Sequence, residues 1–483
     1  SSFPSERAQS VMAEGGINAA LNTKDENDSP EEHFTDTIKA ACGLADPNAV
    51  WGMTQAAPEL VHWLLKLGVK FNMSGYDDVD LRNFGGQKKK RTAFAQSDTG
   101  KQIMTAMIDA VRRKEASGMV ERFSHHSFLT LRLCGNICCG CVIRDEYSQE
   151  TVELPGDAVI VATGGMHGLF GNTTGSLSNT GEVTAELFRL GVPLANGEMI
   201  QYHPTTVKCG GKRMLISEAA RGEGGRLFVM KDGKQWYFME EKYPELGNLM
   251  PRDITAREIW KVSHESEVFL DMTEISEEII SNKLSGLADD CMTYLHKDIR
   301  KEPVSVLPGI HYFMGGILVD EQHRTPIQNL YAAGECCAQY HGANRLGGNS
   351  LLGALYGGRV AAKSACEQAD VVDLSCATQI DFPPASQISE IKQLNKVMQE
   401  TMGVVRNENT LLNGIQTVQA LTGNLPLLGM AVLKSALARK ESRGAHWRED
   451  YPKSNDDDYL KTTVARFDGK QIQISFVPVP ERR

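Results

Sequence analysis

Hydrophobic and polar positions recur with two different periods along the chain. Apolar residues follow a helical spacing in residues 33–42, 58–67 and 99–111, and Pro58 suits the first turn of the second of these helices. Residues 128–161 instead show the alternation that is typical of β-strands. Helices and strands therefore both occur, and the pattern favours a fold of the α/β class.

One apolar run ends abruptly in glycines. Residues 158–162 are uniformly apolar and are followed by Thr163, Gly164 and Gly165. Such a run is typical of a parallel strand that is buried on both faces. Because α/β sheets bind ligands at the carboxyl ends of their strands, these three residues are candidates for a ligand contact.

A second stretch, residues 331–365, has the pattern of a strand, a loop and a helix. Its strand stops at Glu335, Ser350 is a candidate N-cap, and the small and apolar residues from Leu351 onward suit a helix packed on a sheet. A helix N-terminus can hold an electron-rich group, and Arg345 in the preceding loop can grip a carboxylate. An ordinary βα unit with a surface arginine explains the same stretch equally well.

Composition and charge narrow the class of protein. The chain has 483 residues, of which 41% are hydrophobic and 23% are charged, as in ordinary globular proteins. Asp and Glu number 61 against 51 Lys and Arg, and this acidic balance argues against a nucleic-acid binder. We find no run of about 18 apolar residues, so we expect no direct membrane insertion.

A group of cysteines raises the question of a metal site. Cys134, Cys138, Cys139 and Cys141 lie close together in the strand-rich segment. Their spacing fits neither the zinc nor the ferredoxin patterns. We therefore predict buried thiols in a β-hairpin and no metal site.

Candidate chemistry is spread over separate segments, each with Gly or Pro close by. The residues concerned are His203, Ser217 with Glu218, Arg252, His311 and Arg345. Each alone has an ordinary explanation, because most such histidines are structural and most Arg-Asp neighbours form a surface ion pair. If the arginines and histidines converge on one cleft, they form a site for a dianionic small molecule.

Five motifs together carry a specific resemblance. QYHPT, SEAARGEGG, PRD, HYFMGG and HGANRLGGNSLL occur in this order. In order and spacing they resemble the flavoprotein subunit family of succinate dehydrogenase and fumarate reductase, of which L-aspartate oxidase is a close relative. The resemblance runs from AEGGINAAL near the start to ESRGAHWREDYP near the end.

The resemblance implies an α/β fold with three domains. A Rossmann-like FAD-binding domain comprises residues 1–197 and 315–375, and an inserted α+β capping domain comprises residues 198–314. A helical domain follows in residues 376–447, and a C-terminal segment occupies residues 448–483.

The resemblance also implies roles for individual residues. The substrate carboxylates are expected at His203, Ser217, His311 and Arg345. Arg252 is expected to deliver a proton, with Glu218 and Arg221 as its relay. The residues expected to contact FAD are Gly15, Gly16, Thr163, Gly164, Gly165, Glu182, Glu335, Ser350 and Leu351.

This chain departs from the family pattern in three places. The GxGxxG turn is missing, so we expect the FAD-binding domain to lack its N-terminal βα unit, as in a fragment. Gln9 stands at the position of the usual linking histidine, so we predict non-covalent FAD. The TGDG motif appears as Thr180-Gly181-Glu182-Val183.

We therefore predict a flavin-dependent enzyme that interconverts fumarate and succinate, with fumarate reduction favoured. L-aspartate oxidase, a reductase of another unsaturated acid, and a non-catalytic scaffold chain or fragment are the alternatives. An iron–sulfur subunit or another electron donor is the expected partner. The resemblance implies a cytoplasmic protein, held at the inner face of a membrane where such a partner binds it.

Overall fold

The computed structural model describes residues 3–75, 77–369, 382 and 387–483. Its helices are α1 (Pro30–Ala40), α2 (Pro47–Lys66), α3 (Thr99–Ala116), α4 (Glu182–Arg189), α5 (Glu218–Gly222), α6 (Phe238–Lys242), α7 (Arg252–Val262), α8 (Glu277–Lys283), α9 (Ser285–Asp290), α10 (Asn349–Gln368), α11 (Ile388–Thr401), α12 (Glu408–Val418), α13 (Asn424–Ala438) and α14 (Asp456–Tyr459). Among the residues that the structure describes, no helix combines the length and the apolar character needed to cross a membrane.

The strands are mostly short. They are β1 (Ile17–Asn18), β2 (Leu81–Arg82), β3 (Thr92–Ala93), β4 (His126–Cys134), β5 (Ile137–Asp145), β6 (Thr151–Pro155), β7 (Val159–Val161), β8 (Leu194–Ala195), β9 (Ile200–Cys209), β10 (Lys212–Leu215), β11 (Arg226–Lys231), β12 (Lys234–Trp236), β13 (Val268–Asp271), β14 (Val304–Ser305), β15 (Leu307–Phe313), β16 (Gly316–Leu318), β17 (Leu330–Ala332), β18 (Cys337–Ala338), β19 (Lys461–Phe467) and β20 (Ile472–Pro478). They form sheets in the orders β1-β3-β2, β4-β5-β6, β10-β9-β15, β12-β11-β13-β14, β18-β16-β8-β19-β20 and β17-β7.

Capping residues determine where α2 begins. Asp46 is its N-cap, and the Asp46 side chain accepts hydrogen bonds from Asn48 N and Ala49 N at 2.9 and 3.3 Å. Pro47 occupies the first turn, and Pro58 lies inside the helix. The predicted start at Pro58 is therefore wrong, because the Asp-Pro pair upstream is the stronger start signal.

The predicted cap of α10 is also wrong. Gly348, with φ +83°, is the N-cap, and Ser350 lies in the first turn. The left-handed backbone at this position favours glycine, because a side chain there is strained. A Cβ on Gly348 would also lie 2.1 Å from Oδ1 of Asn18.

The predicted parallel strand exists, with one difference. β7 pairs in parallel with β17, through Val159 with Leu330 and Val161 with Ala332. Ile160, however, is 41% exposed, so β7 is not buried on both faces. Among the described residues the sheet contains only these two strands, which explains why the Ile160 side chain is left uncovered.

Two of the hydrophobic clusters are larger than the others. One consists of Phe84 and of residues between 216 and 306, which lie within the predicted capping domain. Another joins residues of α4 and β8 to α11, α12 and α13. The domain boundaries stay a prediction, and the boundary at 375–376 lies outside the described residues.

The cysteine-rich segment forms the expected hairpin. β4 and β5 pair in antiparallel fashion, and Cys138 and Cys139 on β5 are free and buried. Cys141 is free, whereas Cys134 is disulfide-bonded and thus departs from the prediction of thiols. Within the described ranges no group of His, Cys, Asp or Glu has the arrangement of a metal site.

Candidate active site

A buried arginine–glutamate contact lies at the centre of the site. Arg252 and Glu218 are the first residues of α7 and α5. Nε and Nη2 of Arg252 donate to Oε2 of Glu218 at 2.9 and 2.6 Å, and Nη2 of Arg221 donates to Oε1 at 3.2 Å. Burial opposes ionisation of Glu218, but Arg252 and Arg221 outweigh it and lower the pKa of Glu218. Glu218 is therefore an ionised carboxylate between two guanidinium groups.

Two histidines face each other beside this contact. The pairing of β15 with β9 brings His311 next to His203, with ring centroids 5.1 Å apart. Burial and the charge of Arg252 lower the pKa of both histidines well below the ordinary value. Nδ1 of His311 lies 2.7 Å from Oγ1 of Thr174. Both imidazoles are therefore neutral at pH 7, and Nε2 of His203 has no partner among the described residues.

Arg345 contributes a positive charge that lacks a counter-ion. Its side chain is buried, and no described carboxylate forms an ion pair with it. Burial and the neighbouring Arg252 lower the pKa of Arg345 to about 9, so the group stays protonated at pH 7. The guanidinium lies 4.5 Å from the ring centroid of Tyr312, and its Nε has no described partner. An anion is the ligand that such a group favours.

Ser217 is buried at the start of α5. Its hydroxyl oxygen accepts a hydrogen bond from Ala219 N at 3.4 Å, so the hydroxyl hydrogen can be donated elsewhere. Glu14 lies nearby, and the Ser217 hydroxyl acts to lower the pKa of Glu14, against the larger effect of burial. Burial and Asp290 raise the pKa of Glu14 to about 8, so this carboxyl is mostly protonated at neutral pH.

Sequence reasoning missed two buried amides that join these groups. Oε1 of Gln201 accepts from Nη1 of Arg252 at 3.1 Å, and Nε2 of Gln201 donates to the carbonyl oxygen of Arg345 at 2.9 Å. Asn344 accepts from Gln201 at 3.1 Å and donates to Asp253 at 3.0 Å. Gln201 lies within QYHPT and Asn344 within HGANR, so their position beside assigned residues was the available signal.

The glycines after β7 lie against Glu335. Because β7 and β17 are parallel, the loops that follow them emerge at the same edge of the sheet. A Cβ on Gly165 would lie 2.7 Å from the Phe313 ring and 2.8 Å from Cδ of Glu335, so the loop approaches closely. Oε1 of Glu335 accepts from Phe313 N at 3.1 Å. Burial raises the pKa of Glu335 to about 7. The structure thus brings together Gly165 and Glu335.

The first glycine-rich stretch lies against the N-terminus of α10. Gly15 and Gly16 precede β1, where Nδ2 of Asn18 donates to Gly347 O at 2.7 Å and to Oδ1 of Asn349 at 2.8 Å. Ser350 and Leu351 lie in the first turn of α10, which has 20 residues and thus a positively polarised N-terminus.

Glu182 has no contact with Glu335 among the described residues, so its role stays a prediction. It begins α4 and is exposed, and its backbone N–H donates to Oγ1 of Thr180 at 3.2 Å. Gln9 begins a short 3-10 helix, Gln9–Met12.

These residues suit the extended, polar shape of FAD. A buried carboxylate can accept from sugar hydroxyls, small glycines permit close backbone approach, and a positive helix end suits an electron-rich ring.

Comparisons with known proteins agree with this arrangement. Residues 2–351 match a family described as FAD binding domain, and residues 421–482 match one described as fumarate reductase flavoprotein C-term. The chain is 37% identical to the succinate dehydrogenase flavoprotein subunit of Bacillus subtilis, over 99% of this chain and 92% of that protein. It is 32% identical to the L-aspartate oxidase of a Nostoc strain, over 95% of this chain and 87% of that protein.

A solved structure agrees at the level of the fold. A quinol fumarate reductase chain of E. coli superposes with a TM-score of 0.88 and 27% identity, covering 98% of this chain and 90% of the other. The predicted fold class and the prediction of an FAD-dependent enzyme are thereby confirmed.

Proposed function

Because the chain belongs to the flavoprotein family of succinate dehydrogenase and fumarate reductase, we propose that it interconverts fumarate and succinate, with fumarate reduction favoured. The observation that carries the proposal is the buried group of Arg252, Arg345, His203 and His311. Two guanidinium groups and two neutral imidazoles in one site suit a small dianion with a carboxylate at each end. Electrostatic contact between them supports a shared site, since Arg252 lowers the pKa of Arg345 and of both histidines.

In this proposal the substrate carboxylates bind between the cationic and hydrogen-bonding groups. Arg345 holds one carboxylate, and His203, His311 and Ser217 donate hydrogen bonds to substrate oxygens. Charge that develops on a carboxylate during the reaction is met by these fixed donors. The chemistry that FAD supplies when bound is hydride transfer at one alkene carbon.

Arg252 delivers the proton to the neighbouring carbon. Arginine is an unusual acid, because its ordinary pKa lies above about 12. Glu218 contacts both Arg252 and Arg221 directly, so a proton lost from Arg252 can be replaced at once through Glu218. Gln201 holds the far side of the Arg252 guanidinium and keeps it aimed at the substrate.

FAD is bound without a covalent link. Gln9 cannot form the bond that a histidine forms at this position, so Glu335, the loop Thr163–Gly165 and the N-terminus of α10 provide the contacts. Glu335 accepts hydrogen bonds from sugar hydroxyls, and the positive end of α10 stabilises negative charge on the flavin ring. A flavin without the covalent link has a lower potential, and this favours fumarate reduction.

Electrons come from a separate donor. An iron–sulfur subunit is the donor that the family relationship favours, and a diffusible reductant is the alternative. The partner also decides whether the enzyme is held at a membrane.

L-aspartate oxidase is the second candidate, and sequence similarity to such an enzyme favours it. The two functions differ at one substrate carbon, which bears an amino group in aspartate and hydrogens in succinate. Of the carboxyl groups described here, Glu218 already contacts Arg252 and Arg221, and Glu14 beside Ser217 is mostly protonated at neutral pH, so neither suits the ammonium group of aspartate.

Flavin content and substrate turnover test the proposal. We expect the purified protein to be yellow and acid precipitation to release its flavin into the supernatant. Reduced dye should then be oxidised by fumarate, and succinate should be oxidised more slowly. Flavin that stays in the pellet would contradict non-covalent binding. Oxidation of aspartate without fumarate turnover would favour the second candidate.

A further inference from the structure

One buried histidine beside the cofactor residues has no role in the proposal so far. His167 begins the short 3-10 helix His167–Leu169, directly after the loop that contains Gly165. Its side chain is 0% exposed. Nε2 of His167 lies 3.7 Å from Oε1 of Glu335 and has no hydrogen-bond partner within the described ranges. A buried polar atom without a partner is costly, which directs attention to its nearest acceptor.

The surroundings of the His167 ring prevent it from turning away. Nδ1 lies 3.0 Å from Oγ1 of Thr173, and the ring meets the Phe313 ring edge-on, with centroids 5.0 Å apart. Gly175 lies so close that a Cβ there would be 2.2 Å from Cε1 of His167. Nε2 is therefore held on the side of Glu335.

Thr173 can set the tautomer of His167. Its hydroxyl oxygen accepts from Gly175 N at 3.2 Å, and its own hydrogen can be donated to Nδ1 of His167, 3.0 Å away. A neutral imidazole that accepts at Nδ1 bears its hydrogen on Nε2. In that tautomer the hydrogen points towards the carboxylate of Glu335.

The charge state of the pair suits a donor and an acceptor. Burial lowers the pKa of His167 to about 4, so the ring is neutral at pH 7. Burial raises the pKa of Glu335 to about 7, although Phe313 N and Arg345 oppose this increase. Two other titratable groups face the pair. The charge of His167 acts to lower the pKa of His311, and the charge of Glu335 acts to raise the pKa of Tyr312.

We propose that His167 is a positioning residue of the FAD site: its Nε2–H, which lies 3.7 Å from Glu335 in this structure, closes to a hydrogen bond with that carboxylate when FAD is bound, and so stabilises the ionised form and orients it for the sugar hydroxyls. The inference rests on the proposed role of Glu335 and adds a residue to it. Thr173 belongs to the same arrangement, because its hydroxyl sets the tautomer of His167. The adjacent Thr174 contacts His311 instead, so the two threonines serve the cofactor side and the substrate side separately.

Two amide substitutions distinguish hydrogen bonding from packing. The amide nitrogen of Gln superposes on Nε2 of histidine, whereas that of Asn lies near Nδ1. We expect His167→Gln to bind FAD within about threefold of the wild type. His167→Asn should bind at least about tenfold more weakly, because a hydrogen bond to a charged group is lost. The measurement is the dissociation constant of FAD for the apoprotein, from quenching of flavin fluorescence.

The pH dependence of FAD binding distinguishes a hydrogen-bonding role of His167 from a role in packing alone, because a purely space-filling side chain would not change it. Glu335 must be ionised to accept from the sugar hydroxyls, so FAD affinity should rise with pH through the ionisation of Glu335. Without the donor the ionised form is less stable, and His167→Asn should shift this rise to higher pH. Thr173→Val should shift it in the same direction, whereas Thr174→Val should leave the FAD profile unchanged and weaken fumarate binding.

Each outcome has a definite meaning. Equal FAD affinity and identical pH profiles for the wild type, His167→Gln and His167→Asn would overturn the inference. Equal weakening by both substitutions with an unshifted profile would also overturn it, because His167 would then only fill space. If the wild type binds no FAD, the proposed function itself fails. Thermal unfolding of each apoprotein shows whether a variant is folded. If a His167 variant is unfolded, the pH profile of FAD binding by Thr173→Val tests the inference in its place.

Discussion

Two buried arginine clusters in this protein differ in their charge balance. The substrate cluster consists of His203, Glu218, Arg221, Arg252, His311 and Arg345. The C-terminal cluster consists of Glu198, Arg406, Arg439, Glu441, Arg443, Arg448, Asp450 and Asp456. The substrate cluster has three arginines and one carboxylate, whereas the C-terminal cluster has four arginines and four carboxylates, of which Asp456 is exposed.

In the C-terminal cluster the arginines and carboxylates are equal in number. Arg439 donates to Glu198 and Glu441 at 2.7 and 2.8 Å, and Arg443 contacts Glu441 as well. Arg448 pairs with Asp450 at 2.6 Å. Arg406 forms no ion pair with a described carboxylate and donates instead to the carbonyl oxygens of Gly403 and Glu198.

In the substrate cluster the charges do not match. Glu218 is the carboxylate that contacts both Arg252 and Arg221, and Arg345 has no ion-pair partner among the described residues. Buried unpaired charge is unfavourable, and its persistence is explained if a dianion completes the site. The comparison teaches that burial of arginines alone does not mark a functional site, whereas an excess of buried charge does.

Loss of Arg252 tests the catalytic side of the comparison most severely. Arg252→Ala and Arg252→Lys remove the proton donor, and we expect fumarate turnover to fall by about 10²- to 10⁴-fold. Initial rates with reduced dye measure the effect. Arg448→Lys, in the C-terminal cluster, is the matched control and should keep the turnover of the folded enzyme. Unchanged turnover of Arg252→Lys would contradict the proposed mechanism.

Loss of Arg439 tests the structural side. Arg439→Met leaves the buried Glu198 without its ion-pair partner and leaves Glu441 with Arg443 alone. We expect the free energy of unfolding to fall by about 3–5 kcal/mol, as for other broken buried pairs. Urea unfolding measures it. Arg300→Met, which removes a partly exposed arginine, should change stability much less. If both variants lost a similarly small amount of stability, the ion pairs of the C-terminal cluster would contribute little to the free energy of unfolding.

The pH dependence of fumarate binding separates the two clusters further. A bound dianion raises the pKa of His203 and His311, so binding takes up protons and should tighten as the pH falls from 7.5 to 5.5. The dissociation constant of fumarate should change by at most about tenfold per pH unit for each proton taken up. Calorimetry on the oxidised enzyme, in buffers of different ionisation enthalpy, counts the protons. His446→Gln, in contact with Arg406, should leave this slope unchanged.

Ser217 is expected to give the smallest effect. Ser217→Ala removes one hydrogen-bond donor to a carboxylate, and the KM for fumarate should rise by roughly two- to tenfold. Ser217→Thr keeps the hydroxyl and should behave like the wild type. If both variants raise KM equally, the hydroxyl does not contact the substrate and the effect comes from the start of α5.

The sequence predicted the composition of the site better than its geometry. His203, Arg252, His311 and Arg345 were selected from separate motifs, and the structure brings them into one electrostatic group. Gln201 was passed over, although it lies two positions before His203. An amide carries no charge and no pKa, so nothing in the local pattern distinguished it from an ordinary strand residue.

Local patterns also misplaced some elements. Pro58 suited a helix start, but Asp46 and Pro47 begin α2 earlier. Ser350 suited an N-cap, but the backbone at Gly348 adopts the left-handed conformation and supplies the cap. In both cases two start signals competed, and the residue nearer the N-terminus supplied the cap.

By itself the sequence determined the class of fold and the net acidic charge, and it selected the residues that are proposed to bind a dianion. These properties follow from residue type, order and spacing along the chain. Only the tertiary structure decided which buried charges lack an ion-pair partner, that the Ile160 side chain is exposed, and which atom of Glu335 lies nearest to His167. Those properties depend on partners far apart in sequence, because burial and Coulomb interactions act through space.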